Sequence, residues 1–254
     1  MSPEELRDFL NEKVDLFNRP DFIDSDPIQV PHLFSRKEDI EIAGFLAATI
    51  AWGNRTMIIR NAKKLMELMD NEPLEFVMHA TDADKKPFSN FVHRTFNADD
   101  LLYFLSSLKN IYSNHGGLEK AFAGDINAPF SQTNIHHFKQ LFFALPHLAR
   151  TQKHVSDPLK GSAAKRLNMM LRWFVRKDKR GVDFGIWNSI SPSDLSCPLD
   201  VHSGNVARKL GILKRKQNDA KALQELDTAL RQMDPLDPVK YDFALFGLGV
   251  FEGF

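Results

Sequence analysis

Apolar residues recur every three to four positions along most of this 254-residue chain, and this spacing constrains the fold more than any other feature. In the stretch 3–17, for example, Leu6, Leu10 and Val14 would share one face of a helix. No segment shows the convincing alternation of apolar and polar residues that a half-buried strand requires. Proline and glycine interrupt the helical pattern often enough to predict about ten or more helices. The periodicity therefore predicts an all-α fold.

Local signals predict where individual helices begin. Ser35-Arg-Lys-Glu38 matches a capping box, with Ser35 as the N-cap of an apolar helix. Trp52-Gly-Asn-Arg55 interrupts that helix, and a further helix is expected from Thr56.

Length and composition fit one large domain, or two small ones, with a sizeable apolar core. Of the residues, 43% are hydrophobic. The N-terminal stretch 1–8 is acidic and amphipathic, so no signal peptide is expected, and no run of 18 apolar residues predicts a membrane span. We therefore expect a cytoplasmic protein without a membrane partner, and a monomer is favoured.

The residue types that bind metals and clusters are sparse. The single cysteine, Cys197, cannot form a disulfide framework or a four-cysteine metal or iron–sulfur site. The histidines that lie near one another in sequence lack an acidic or cysteine companion at ligand spacing; these are His136, His137, His147 and His154. We expect neither a metal nor a cofactor.

Charge is distributed unevenly, although the formal net charge is zero. Residues 1–45 hold 11 acidic and 5 basic residues, a balance of −6, and residues 217–254 hold 7 acidic and 3 basic, a balance of −4. Residues 150–216 hold 15 basic and 5 acidic residues, a balance of +10. A basic stretch of this kind is typical of a protein that contacts a phosphate backbone, although a solvated charged face is the commoner interpretation.

The basic stretch contains a segment, 162–176, whose periodicity predicts an amphipathic helix. Its predicted buried stripe consists of Ala164, Leu167, Leu171, Phe174 and Val175. A second face, at positions i, i+3, i+7 and i+11, holds Lys165, Asn168, Arg172 and Arg176. This second face suits a cleft that binds phosphate, and the N-terminal end of the helix adds partial positive charge. A surface lysine on a basic helix is the alternative interpretation of Lys165.

Asp200 lies at the start of another predicted helix, 201–210, where its side chain can cap the helix. Gly204 costs about 1 kcal/mol inside a helix and predicts a close approach by other backbone or by DNA. A lysine and a carboxylate held at two adjacent helix starts can carry out amine attack on a sugar carbon, since the carboxylate helps to deprotonate the amine and offsets positive charge on the sugar. This is the chemistry of base excision from DNA. A purely structural N-cap is the alternative interpretation of Asp200.

Two motifs resemble the helix-hairpin-helix DNA glycosylase superfamily. They are Ala163-Ala-Lys-Arg-Leu-Asn-Met-Met-Leu171 and Pro198-Leu-Asp-Val-His-Ser-Gly-Asn-Val-Ala-Arg-Lys-Leu-Gly211. The resemblance places Lys165 at the Schiff-base lysine of that superfamily and Asp200 at its catalytic aspartate. It implies excision of a damaged base such as 8-oxoguanine from duplex DNA, with strand cleavage through the lysine.

The same resemblance implies an architecture and a set of DNA contacts. Two helical subdomains would enclose a cleft, one formed by 35–150 and the other by 1–34 with 151–254. The segment Ile42–Arg55 resembles an early helix whose end feeds the loop that wedges into the duplex, which places Gly53, Asn54 and Arg55 near the extruded base or its orphaned partner. The other residues expected to contact DNA are Gly161, Ser162, Arg166, Asn168, Arg172, His202 and Arg208.

Two departures from the superfamily stand out. Asp157-Pro-Leu-Lys-Gly-Ser162 replaces its Leu-Pro-Gly-Val-Gly hairpin. The spacing of 35 residues from Lys165 to Asp200 is longer than usual and resembles the archaeal 8-oxoguanine glycosylase branch.

Over nearly its whole length, the chain resembles an uncharacterised bacterial family. The shared stretches are Arg19-Pro-Asp-Phe-Ile23, Asp26-Pro-Ile28, Ala51-Trp-Gly-Asn-Arg55 and Pro198-Leu-Asp-Val-His202. Two other functions stay open: a non-catalytic nucleic-acid-binding helical protein, in which Lys165 contacts phosphate, and a helical interaction protein without nucleic acid.

Overall fold

The computed structural model describes residues 1–124 and 129–254, and it is mostly helical. The prediction of an all-α fold is confirmed. The α-helices are α1 (Pro3–Phe17), α2 (Asp21–Asp24), α3 (Lys37–Thr49), α4 (Arg55–Leu68), α5 (Pro73–His79), α6 (Ala98–Asn114), α7 (Leu118–Ala123), α8 (Gln132–Phe142), α9 (Lys165–Val175), α10 (Val201–Lys209), α11 (Ala220–Met233) and α12 (Tyr241–Val250).

One short antiparallel hairpin, which the periodicity did not predict, joins the helices. Its strands are β1 (Val92–His93) and β2 (Phe96–Asn97). Strands of two residues are too short to show an alternating pattern. The turn between them passes through Arg94, whose φ of 55° lies in the left-handed region that non-glycine residues seldom adopt.

The chain divides into two compact units. Unit 1 contains Met1–Phe22, Asn127–Thr133 and Asp157–Phe254, and unit 2 contains Ile23–Ile126 and Asn134–Ser156. Both candidate catalytic residues, Lys165 and Asp200, belong to unit 1.

In unit 1, α12 packs against both α1 and α10. Leu6, Leu10 and Val14 of α1 are buried, so the predicted apolar face of that helix is confirmed. Because Asp200 comes directly before α10, the packing of α10 on α12 fixes the position of this carboxylate relative to the core.

Gly247 of α12 lies directly against the ring of Phe17 in α1. A Cβ placed there would lie 2.2 Å from Cδ2 of Phe17. We expect Gly247→Ala to lower the free energy of unfolding by about 1–3 kcal/mol, because the packed helices have to move apart to admit the methyl group. Urea denaturation measures this loss. The double variant Phe17→Ala/Gly247→Ala should recover part of it, whereas strictly additive losses would show that the methyl group meets no obstacle at Phe17.

In unit 2, α3 packs against α4 and α5, and α5 packs against α6. The rings of Phe45, Phe104 and Phe142 contact one another, with centroid distances of 4.7–5.8 Å, and form part of its core. The prediction that Ser35 caps α3 is wrong, since the N-cap is Arg36, whose side chain makes no capping hydrogen bond. The Glu38 carboxylate instead accepts a hydrogen bond from Nε of Arg36, at 3.3 Å, and the capping box is not formed.

Candidate functional site

Lys165 is the first residue of α9, three residues later than the sequence predicts. The preceding turn uses a left-handed residue, Ala164, with φ 45° and ψ 38°. The Ser162 hydroxyl accepts a hydrogen bond from the Ala164 amide at 3.0 Å and supports this turn. A left-handed alanine costs about 1 kcal/mol or more, and strain of this kind concentrates at functional sites.

Asp200 is the N-cap of α10, as the sequence predicts. Its Oδ1 accepts a hydrogen bond from the Ser203 amide at 2.9 Å, and the Asp200 amide donates to Oγ of Ser203 at 2.9 Å. The Asn218 amide donates to the Asp200 carbonyl at 2.7 Å. The Ser203 amide thus bonds Oδ1 of the carboxylate, and Oδ2 is the oxygen nearest to Lys165.

The fold brings Lys165 and Asp200 together, although 35 residues separate them in sequence. Nζ of Lys165 lies 3.7 Å from Oδ2 of Asp200. The side chains are 29% and 19% exposed, so both are anchored by the protein and still open to a ligand. A nucleophilic amine and a proton acceptor in this arrangement can carry out covalent catalysis.

The predicted buried stripe of α9 is confirmed, but the second face is not the exposed cationic surface that the sequence suggests. Asn168, Arg172 and Arg176 are only 1–3% exposed. Arg176 pairs with Asp178, Asp183 and Asp237. The helix is buried on both faces, since acidic residues neutralise its cations; Asp178 and Asp183 follow within a few residues, and Asp237 and Asp242 are distant in sequence. Arg172 and Asn168 thus have internal partners in place of the phosphate contacts that were expected.

Arg172 connects α9 to a buried carboxylate that the sequence analysis missed. It donates hydrogen bonds to Asp183 and to Asp242, which lies on α12. Burial raises the pKa of Asp242 to about 6, with Asp200 acting in the same direction and Arg172 and Lys165 opposing it. Burial likewise raises the pKa of Asp183. Asp242 therefore belongs to the electrostatic surroundings of Lys165 and Asp200, and no local motif marks it in the sequence.

The segment before α9 forms a tight turn in place of the superfamily hairpin. A 3₁₀ helix, Pro158–Lys160, begins at Asp157, whose carboxylate accepts from the Leu159 amide, and ends at Gly161 with φ 87°. The Gly161 amide donates to Pro158, and its carbonyl accepts from Ala220 at 3.0 Å. The amides of residues 159–161 are thus engaged within the protein. Gly161 is exposed and Ser162 half-buried.

Two more of the predicted DNA-contacting residues lie on α10. His202 is exposed, and its ring centroid is 6.4 Å from that of Phe246. Arg208 donates from Nε to the Arg215 carbonyl at 2.8 Å and from Nη2 to Asn218 at 2.6 Å.

Gly204 has a structural explanation within the protein. A Cβ on this glycine would lie 2.7 Å from Oδ1 of Asn218, the residue whose amide holds the Asp200 carbonyl. The close approach predicted for Gly204 therefore comes from this side chain.

Arg166 follows Lys165 in the first turn of α9 and is partly exposed. Burial lowers the pKa of its guanidinium to about 10, which leaves the group cationic at neutral pH. It adds a fixed positive charge next to Lys165.

The residues expected to wedge into DNA lie in unit 2. Asn54 caps α4, accepting a hydrogen bond from the Met57 amide at 3.0 Å, and Arg55 is the first residue of that helix. Gly53 has φ 102°, and the Arg94 side chain lies across it. The half-buried Trp52 ring contacts the His93 and His154 rings, at centroid distances of 5.1 and 5.9 Å. This loop presents Gly53 and Asn54 on the surface.

Within residues 1–124 and 129–254, no helix is long and apolar enough to cross a membrane. The same residues include no group of three or more His, Cys, Asp or Glu side chains that could hold a metal ion. Cys197 is buried, and burial raises the pKa of its thiol well above the usual value. It is a poor candidate for the nucleophile.

Comparisons with known proteins identify one family. A family model described as "Protein of unknown function (DUF2400)" matches residues 26–251. No curated protein and no solved structure matches the chain.

Proposed function

The chain belongs to the DUF2400 family, and we propose that it is a DNA glycosylase that excises a damaged base through a Schiff base on Lys165. One observation carries the proposal: the Lys165 amine and the Asp200 carboxylate lie 3.7 Å apart at the starts of two helices, and both are partly exposed. The resemblance of both surrounding motifs to the helix-hairpin-helix glycosylases supports it. The finer fold assignment, a helix-hairpin-helix arrangement in which the Asp157–Ser162 turn replaces the usual hairpin, is part of the same proposal.

The reaction begins with a nucleotide that has left the base stack. Extrusion costs a few kcal/mol and is easiest for damaged or mispaired bases. The ionised Asp200 stabilises positive charge on the sugar as the N-glycosidic bond weakens. It also accepts the proton that the Lys165 ammonium must lose before its lone pair can attack.

Lys165 then attacks C1′ of the sugar. A C–N bond forms between Nζ and C1′, and the electrons of the N-glycosidic bond leave with the base, which takes up a proton. Opening of the sugar ring gives the Schiff base. Loss of a C2′ proton with cleavage of the C3′–O bond would nick the strand, and water would finally release the lysine.

Electrostatics favour a phosphate-rich partner at this site. Residues 150–216 carry a net balance of +10. Arg176 and Arg172 are engaged internally, and the groups that we assign to phosphate are the exposed Lys160 and the first turn of α9, which includes Arg166. In unit 2, we assign Gly53, Asn54 and Arg55 to the DNA as well.

A non-catalytic nucleic-acid-binding protein is the second candidate. The observation that favours it is the Asp157–Ser162 turn, whose internally bonded amides depart from the hairpin of the active superfamily. In that case Lys165 would contact phosphate, and the Asp200 carboxylate would only cap α10.

The test is borohydride trapping of the wild-type protein on duplexes that carry 8-oxoguanine, uracil, an oxidised pyrimidine or an abasic site. We expect a covalent band on at least one damaged duplex and on the abasic duplex. The absence of a band on every duplex, with salt-dependent binding retained, would replace the glycosylase by the binding protein. If DNA binding were also absent, both candidates would fail.

A further inference from the structure

The segment 218–220, at the start of α11, contacts the start of α10 at one end and the turn before α9 at the other. We call it the tie segment. At its α10 end, Nδ2 of Asn218 donates to the Asp200 carbonyl at 2.7 Å. At its α9 end, the Ala220 amide donates to the Gly161 carbonyl at 3.0 Å. Three consecutive residues therefore connect the helix start that bears the carboxylate to the one that bears the lysine.

The α9 end of the tie segment holds the turn from which Lys165 extends. Asp219 forms an isolated antiparallel bridge with Ser162. The Ser162 hydroxyl accepts a hydrogen bond from the amide of Ala164, the left-handed residue directly before Lys165. The Asp219 carboxylate also caps α11, which buries its apolar side in the core of unit 1. The tie segment is thus itself anchored by a helix of that core.

The direction of the Asn218 amide is determined by its two partners. A guanidinium can only donate, so the Asn218 oxygen has to face Nη2 of Arg208, which lies at 2.6 Å. A backbone carbonyl can only accept, so the amino group has to face Asp200. The same carbonyl accepts the first hydrogen bond of α10, from the Gly204 amide at 2.9 Å. Asn218 therefore adds a second restraint on the backbone of Asp200, from outside the helix.

Gly204 leaves the space that the Asn218 side chain occupies. A Cβ on this glycine would lie 2.7 Å from Oδ1 and 3.1 Å from Nδ2 of Asn218. Alanine forms helices better than glycine does, so glycine at this position weakens α10. A methyl group here would have to displace the Asn218 amide, and with it the contact to the Asp200 carbonyl.

We propose that Asn218 is a positioning residue for the excision reaction, through which the tie segment sets the distance between the Lys165 amine and the Asp200 carboxylate. This inference rests on the proposed function. Nζ and Oδ2 of the pair lie 3.7 Å apart. The tie segment restrains the backbone on both sides of this distance. A misplacement of about 1 Å can lower a rate by about 100-fold, so loss of the contact should slow the chemistry and leave DNA binding intact.

The test measures two quantities on one duplex that carries an abasic site: the single-turnover rate of borohydride trapping at saturating protein, and the dissociation constant. Asn218→Ala removes the amide, and Gly204→Ala displaces it without removing any polar group. We expect each variant to lower the trapping rate by about 10- to 100-fold. The dissociation constant should stay within about twofold of wild type. Gln217→Ala, at the exposed neighbouring position, is the matched control and should change neither quantity.

Two outcomes would overturn the inference and leave the proposed function standing. Wild-type trapping rates in both variants would show that the tie segment does not set the distance. Weaker binding with an unchanged rate would show that Asn218 contacts DNA. If wild type traps on no duplex, the proposed function fails, and the inference fails with it. Thermal melting checks the fold of each variant, and Gly204→Ala favours the helix of α10, so the test does not depend on Asn218→Ala alone.

Discussion

Replacing Lys165 by glutamine should abolish covalent trapping on damaged and abasic DNA, because no amine remains to form a Schiff base. Glutamine is similar in length and keeps a polar end at the start of α9. The Asp200 carboxylate would still accept its hydrogen bond from Ser203, so the variant leaves no carboxylate without a partner. We expect the single-turnover excision rate to fall by about 10³-fold or more, as is usual when a nucleophile is removed.

The matched control for this experiment is Lys160→Gln. Lys160 lies five residues earlier, is exposed on the turn before α9, and carries the same charge. Its replacement should retain trapping and weaken DNA binding slightly. The slope of the logarithm of the DNA-binding constant against the logarithm of the salt concentration should become shallower by about one. Lys165→Gln should show the same small change in binding. Trapping by Lys165→Gln at the wild-type level would exclude this lysine as the nucleophile.

Replacing Arg172 by methionine should destabilise the protein strongly. The guanidinium is buried and hydrogen-bonded to Asp183 and Asp242. Removing one partner of a buried ion pair leaves an uncompensated charge, which costs about 3–5 kcal/mol. Urea denaturation at pH 7.5 measures this loss.

The loss should shrink as the pH falls from about 7.5 to 5. The folded pKa of Asp242 is raised by burial to about 6, above the unfolded value of about 3.9. A carboxyl group with a raised folded pKa contributes stability below the unfolded pKa and loses that contribution as the pH rises through the folded pKa. Arg172 holds this pKa down. Without the arginine, the folded carboxyl takes up its proton at a higher pH. Lowering the pH therefore reduces the difference in the free energy of unfolding between the variant and wild type.

Arg180→Met is the matched control for Arg172→Met. Arg180 is an exposed cation of the same basic stretch and pairs with Asp15 at the surface. Exposed ion pairs contribute little to the free energy of unfolding, so this variant should be close to wild type in urea denaturation. If Arg172→Met were as stable as wild type and bound DNA more weakly, Arg172 would contact phosphate, as the sequence suggested.

The sequence predicted those parts of the protein that depend on neighbours a few residues away. The apolar stripe of α9 is an example, because a helix places every third or fourth side chain on one face whatever surrounds it. Asp200 is another, since a carboxylate directly before a helix can bond the free amides of its first turn. The Ser35 cap was also predicted from local residues and was wrong: α3 begins one residue later, and the Glu38 carboxylate contacts Arg36.

Only the tertiary structure decided which charges are buried and which polar groups meet. Periodicity places Lys165, Asn168 and Arg172 on one face of a helix, but it does not show what covers that face. Asp242, 70 residues after Arg172, covers part of it, and Gln132, 36 residues before Asn168, covers another part. These contacts join elements distant along the chain, so no local pattern encodes them. The sequence by itself determined the helix of Lys165 and the cap at Asp200, because both depend on neighbours along the chain. The packing of unit 1 decided the distance of 3.7 Å between Nζ of Lys165 and Oδ2 of Asp200.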